Sequence, residues 1–109
     1  MDFLIRKNKI KKVYSTTGNS GCFASNEITK NGQLVGYMYR EEPDSTFPDS
    51  GWRFFSGYES EEYTDDPNNF NIFDLNTICN YDPSIIKYLD APFGTAWIRR
   101  GNEFVIDNW

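Results

Sequence analysis

Apolar positions along the chain change their period twice. The first twenty residues hold no steady pattern: Ile10, Val13 and Tyr14 fit neither an alternating nor a helical template, and the stretch ends in STTGNSG, a polar turn-forming run. Residues 1–20 read as a leading strand or loose arm ahead of the main domain, 21–109. From Gly21 strand signals take over. GCFAS is a short strand, and Glu27 to Lys30 leads into Asn31-Gly32, a dipeptide suited to a tight hairpin turn. QLVGYMYRE reads as a long strand with Val35, Tyr37 and Tyr39 on one face and Leu34, Met38 and Arg40 on the other. GWRFFSG is a further strand in which Trp52 and Phe54 share a face and Arg53 and Phe55 take the opposite one.

Past Asp66 the period lengthens. PNNFNIFDLNTICNYDPSIIKYL offers two helical turns: Asp74 is placed to cap the turn holding Leu75, Ile78 and Cys79, and Asp82 stands before Pro83, a residue favoured at the first helical position. Ile85, Ile86 and Leu89 form an apolar helical face that Pro92 ends. TAWIRR and FVIDNW, joined through Gly101-Asn102, read as a terminal hairpin. The pattern predicts an α+β fold, a small single domain whose antiparallel β-sheet carries one or two short helices inserted before a C-terminal β-hairpin.

Composition adds to this picture what holds the fold and what chemistry it lacks. Three Trp, seven Tyr and nine Phe among 109 residues supply enough large apolar area for one core. Mean hydropathy is -0.65, and no apolar run approaches the ~20 residues that cross a bilayer, so no membrane association is expected. Phe3 to Ile5 is shorter than a signal-peptide core of ~7 to 15 residues, which predicts a cytoplasmic location. Cys22 and Cys79 are too far apart for a CxxC unit and read as small core residues kept reduced there. The chain has no histidine. Ser-His-Asp and Cys-His catalysis and imidazole-based zinc or iron sites are thereby excluded within it.

Charge is polarised along the sequence. Residues 1–14 hold five cations against Asp2, a net of +4, whereas residues 41–66 hold nine acids against Arg53, a net of -8. The acidic segment repels phosphate, so nucleic acid is not an expected partner, and a basic protein is. The two segments are also able to pair with each other, inside one chain or between two copies of it, and so to hide the acidic face.

Paired carboxylates suggest two further chemistries. Glu41-Glu42 and Glu61-Glu62 resemble catalytic pairs, yet neighbours on an extended strand point to opposite faces and do not converge on one substrate atom. A calcium loop starting at Asp66 puts Phe70 at the fifth position and Thr77 where a bidentate Glu belongs, and one starting at Asp65 puts Pro67 at the third. No metal site is expected. Gly51 and Gly57 bracket Trp52 to Phe55 without Walker or dinucleotide spacing, and no cofactor is expected either. A carboxylate-dependent enzyme and a ligand- or cation-binding module remain as alternatives to a non-enzymatic binding protein.

VGYMYREEPDSTFPDSGWRFFSG and NIFDLNTICNYDPSIIKYLDAPFGTAW also resemble a bacterial toxin-immunity family, the thirty-third of that numbering and formerly a domain of unknown function. The strings REEP, DSGWRFF, NYDPSII and YLDAP carry the resemblance in order, over about Gly21 to Phe104. It implies a small cytoplasmic protein, not an enzyme, that neutralises a co-encoded toxin by binding it, and it brings no catalytic residues. An acidic-aromatic surface suits such a role against a basic toxin. Tyr39, Trp52, Tyr58 and Tyr63 are the candidate anchors, with burial in the core as the competing role for Trp52 and Tyr39. Glu41, Glu42, Asp44, Asp49, Glu59, Glu61, Glu62, Asp65 and Asp66 are the candidate steering acids. NYDPSIIKYLDAP reads as fold rather than function, a capped helix and its stop.

Overall fold

Ser25 decides how the first strand ends. In the computed structural model, which describes residues 3–15 and 18–107, β1 (Gly21–Ser25) runs into α1 (Asn26–Thr29) because the Ser25 hydroxyl accepts the Glu27 N–H at 3.1 Å. Asn31-Gly32 then closes that helical turn, with N–H groups donating to the Asn26 and Ile28 carbonyls. The expected tight hairpin at this dipeptide is therefore corrected. Its two flanking strands do not pair with each other: β3 (Asp49–Phe55) lies between β1 and β2 (Tyr37–Arg40). The strand expected over Gln33 to Glu41 is shorter, since the Val35 N–H goes to the Asp82 carboxylate at 3.0 Å instead of to a ladder.

β3 gives way to α2 (Glu61–Asp65), β4 (Phe70–Asp74) and α3 (Leu75–Tyr81), and β5 (Ala96–Arg100) and β6 (Glu103–Ile106) form the terminal hairpin. The six strands make one sheet in the order β4-β1-β3-β2-β5-β6, antiparallel except where β1 runs alongside β3. This is the expected α+β arrangement. β4 is a strand the apolar pattern does not announce, whereas the caps fall where expected: Asp74 accepts the Asn76 N–H, and Asp82 the Ser84 N–H at the start of a 3-10 turn over Pro83–Tyr88.

The core occupies one face of the sheet. Cys22, Ala24, Met38, Trp52 and Phe54 meet Ile28 of α1, Ile78 and Cys79 of α3, and Ile85 and Leu89, all at or below 2 % exposure. Alternation along β2 and β3 sends Tyr37, Tyr39, Arg53 and Phe55 to the opposite face. No helix of the described residues is long and apolar enough to cross a membrane.

The basic segment lies along the helical side. The Phe3 ring meets Phe73 edge-on at 5.1 Å, the Leu4 N–H donates to the Thr29 carbonyl, and Asn76 Oδ1 accepts the Val13 and Tyr14 N–H groups at 2.8 and 2.9 Å. Among the described residues no ion pair joins this segment to the acidic stretch. Asn76→Ala is expected to release the segment at a local cost of about 1 kcal/mol, the net worth of such bonds near the surface. Hydrogen exchange checks it: the Val13 and Tyr14 amides should speed up while those of β3 do not, and equal acceleration in both would contradict the assignment.

Candidate functional site

The uncovered sheet face carries a continuous aromatic row. Tyr37 on β2 faces Phe55 and Ile98 across its two ladders, and Ile98 faces Val105 on the edge strand β6. Phe55 meets Phe70 edge-on at 5.5 Å, and Phe70 meets Tyr63 of α2 at 6.1 Å. Tyr39 stacks on Phe55 with centroids 5.9 Å and planes 15° apart. Tyr37, Tyr39 and Phe55 floor a groove of about 970 Å³, bounded by Tyr58, Glu59 and Thr64 and by Ile98 and Arg100.

The groove wall is built by local hydrogen bonding. Glu59 accepts the N–H groups of Ser56 and Gly57 and the Ser56 hydroxyl, at 2.8 to 3.0 Å, which fixes the turn that presents Tyr58. Burial alone pushes the Glu59 carboxyl up, and these bonds together with the Ser25 hydroxyl outweigh it, so the group sits below the ordinary glutamate value. The Ser60 hydroxyl then caps α2 by accepting the Tyr63 N–H at 3.0 Å.

Carboxylates surround the floor. Burial raises the Tyr37, Tyr39 and Tyr63 hydroxyls, and negative charge pushes each further: Asp107 at Tyr37, Glu41 at Tyr39 against the opposing Arg53, and Glu27 and Glu59 at Tyr63.

The expected partner-binding residues divide three ways. Glu41, Glu42 and Asp44 are exposed beyond the end of β2, while Tyr58, Glu61, Glu62, Asp65 and Asp66 are exposed beyond the end of β3, with Tyr58 83 % accessible. Since β2 and β3 are antiparallel, one acidic stretch of sequence becomes two groups on the order of 20 Å apart, with the aromatic floor between them. Tyr39 is half-buried within the floor, and Glu59 and Tyr63 are half-buried at its margins. Trp52 and Asp49 are corrections to the expected surface set, at 0 % and 1 % exposure. Trp52 faces the core and donates its indole N–H to the Leu89 carbonyl at 3.1 Å, and Asp49 is held by Arg53 at 2.7 and 2.9 Å. A second correction concerns Glu61-Glu62, which stand in the first turn of α2 and not on a strand. Tyr37, Phe55 and Phe70 are the site residues the sequence pattern does not single out. For Tyr37 and Phe55 the signal is the period-two alternation itself, which separates two faces without saying which one α1 and α3 leave open.

The four strings that carry the family resemblance supply polar contacts that join the strands of this sheet. Arg40 of REEP donates to the Ser50 carbonyl and, at 2.8 Å, to the Ala91 carbonyl of YLDAP, and its guanidinium lies 4.5 Å from the Phe93 ring centroid. Arg53 of DSGWRFF bonds Glu41 at 2.7 Å as well as Asp49. Asp82 of NYDPSII pairs with Arg99 and anchors the Val35 N–H. These residues hold β2, β3, β5 and the Leu89–Ala91 turn in fixed relation.

Other chemistry finds less support in the geometry. Burial pushes the Cys22 thiol up and the Cys79 thiol up to about 12, so both are poor nucleophiles. Asp44, Asp49 and Glu59 are held low, the opposite of what a proton donor requires. Among the described residues no three acids or thiols are grouped as metal ligands.

No curated protein and no solved structure shows significant similarity to the chain. A family model does: that of the Immunity protein Imm33 domain matches residues 22–106, from the first buried cysteine of β1 to the last residue of β6. With every strand and α-helix of the described residues reached by the match, the chain belongs to the Imm33 immunity protein family.

Proposed function

We propose that this immunity protein acts in the cytoplasm by binding and blocking a basic toxin, without chemistry of its own, through the uncovered sheet face and its two acidic margins. The observation that carries the reading is the division of the molecule: α1, α3 and the 3-10 turn after it fill one face of the sheet, and the other keeps an aromatic row, edged by α2, with exposed acids at both ends. Tyr39, Tyr58 and Tyr63 supply apolar contact, and Glu41, Glu42, Asp44, Glu61, Glu62, Asp65 and Asp66 steer encounter. Trp52 and Asp49 act only by holding the face together.

The test uses the toxin encoded beside the protein and the variant Glu61→Gln/Glu62→Gln/Asp65→Asn/Asp66→Asn, in which the asparagine replacing Asp66 keeps a side-chain oxygen for the Asn68 N–H. The variant should fold normally and associate about tenfold more slowly at low salt, with a shallower salt dependence. An unchanged rate would remove the α2 margin from the interface. Absence of binding by the unmodified protein would overturn the immunity reading itself.

A further inference from the structure

The two edges of the sheet are not equally finished. Along β6 the Asp107 N–H donates to the Ala96 carbonyl at 2.8 Å, so by alternation Phe104 and Ile106 turn their backbone groups outward. There the Phe104 N–H is already taken by the Tyr88 hydroxyl at 2.9 Å. Along β4 the pattern is fixed by its neighbour β1. Gly21 donates its N–H to the Pro48 carbonyl on the β3 side, whereas the Ser20 carbonyl accepts the Leu75 N–H at 2.8 Å on the β4 side. Through the β1–β4 register Asn71 and Phe73 then bond β1, and Phe70 and Ile72 point their backbone groups away from the sheet. The Phe70 N–H is returned to the Pro67 carbonyl, but among the described residues nothing bonds the Ile72 N–H and carbonyl. β4 also lacks the devices that blunt an edge: FNIFD holds no proline or lysine, its register with β1 is unbroken, and Ile72 is 54 % exposed on the open face beside Phe23.

We infer that β4 is a dimer edge, at which a second copy of this chain pairs antiparallel about a two-fold axis through Ile72 and joins two sheets into one. The edge fits itself. In that register Ile72 meets Ile72 of the second copy, and the two exchange both backbone hydrogen bonds. Phe70 falls opposite Asp74 of the second copy, so no like charges are opposed, whereas pairing Phe104 with Ile106 along β6 would set Glu103 against Asp107. Charge outside the strand agrees. Asp65 and Asp66, at the end of α2, stand just ahead of Phe70, and the register directs that end toward Asn76 of the second copy. Asn76 holds the Lys11 carbonyl and the Val13 and Tyr14 amides, so the exposed acids of one copy approach the exposed Lys11 and Lys12 of the other, twice in each dimer. Opposed residues of antiparallel strands share a face, so both aromatic rows lie on one side of the joined sheet and stay open. The inference goes beyond toxin binding and does not depend on it.

Sedimentation equilibrium of the full chain should show a dimer with Kd on the order of 10 µM, as suits a short contact made through backbone, and weaker as salt rises. Ile72→Lys and Ile72→Glu each put two like charges face to face and should each weaken the dimer about tenfold or more. Mixing the two variants should restore it, because opposite charges then face each other, and the rescue shows that both variants fold. Ile106→Lys, the same change on β6, should leave Kd within about twofold. The Ile72 amide should exchange more slowly as protein concentration rises. A chain still monomeric at about 500 µM, an Ile72→Lys dimer of unchanged strength, no dimer in the mixture, or a dimer lost with Ile106→Lys would each overturn the inference. Protection of the Ile72 amide that appears only when toxin is added would overturn it too, by assigning the edge to a strand of the toxin.

Discussion

Asp49→Ala should cost about 3–5 kcal/mol, the range for removing one partner of a buried ion pair. The carboxylate is 1 % exposed and accepts four hydrogen bonds: two from Arg53 at 2.7 and 2.9 Å, one from the Asp44 N–H at 2.7 Å and one from the Gly51 N–H at 2.9 Å. Truncation leaves a guanidinium, itself only 6 % exposed, facing a single half-exposed carboxylate, Glu41, and leaves two backbone donors without an acceptor. Replacing Asp49 and Arg53 together by apolar residues removes the stranded charge and should recover part of the loss. It should not recover all of it, because the Asp44 and Gly51 N–H groups stay unpaired. Acid should act at the same place. Burial alone pushes the Asp49 carboxyl up, and the bonds from Arg53, Asp44 and Gly51 overcome it, holding the folded value below the ordinary one. A depressed folded pKa gives stability that is fully present above the unfolded value near ~3.9 and is lost as pH falls through the folded value. Urea titrations should show Asp49→Asn less stable at neutral pH and flatter than the unmodified protein below pH ~4. A neutral-pH loss under about 1 kcal/mol would mean that the pair is not what holds β3.

Local chemistry in the sequence located those elements whose partners are close by. Asp74 and Asp82 cap where the acid-plus-helix pattern puts them, and Gly101-Asn102 joins β5 to β6. Trp52 and Phe54 share the buried face that their spacing predicts. The failures arise where a distant partner wins. Asn31-Gly32 has hairpin chemistry, but Ser25 caps α1 ahead of it, and β3 then enters beside β1 from more than twenty residues downstream. The FNIFD segment becomes a strand because the edge of β1 is open to it, a fact no window of ten residues contains. For the site, acid content marked exposed segments well at Glu41, Glu42 and Asp44 and along α2. Asp49 escaped that logic because charge in a sequence does not reveal an Arg53 four positions on pointing at the same buried spot. The open aromatic row was half visible, through Tyr39 and Tyr63. Its remainder depends on which face the helices cover.

Gly51→Ala is the second substitution with a large expected effect, and Gly94→Ala measures how much of it is steric. Both glycines have nearly the same backbone angle, φ +90° and +87°, which costs a non-glycine residue roughly 1–2 kcal/mol wherever it occurs. Their surroundings differ. A Cβ at Gly51 falls 2.1 Å from the Glu41 carbonyl oxygen, which belongs to backbone paired across the strand, whereas a Cβ at Gly94 meets nothing within 4 Å. Gly94→Ala should therefore cost about 1 kcal/mol and Gly51→Ala about 3 or more, because backbone strain and a backbone clash add at one place. Relief of that clash requires β2 and β3 to part at Glu41, where the Glu41 N–H bonds the Gly51 carbonyl at 2.9 Å. Glu41 then leaves Arg53, and Tyr39, two residues back along β2, loses its place over Phe55. Chemical denaturation gives the two costs, and Tyr39 ring shifts report the floor. Equal losses from the two substitutions would mean that β2 and β3 are not pressed together at this point, and that the aromatic floor depends on some other constraint.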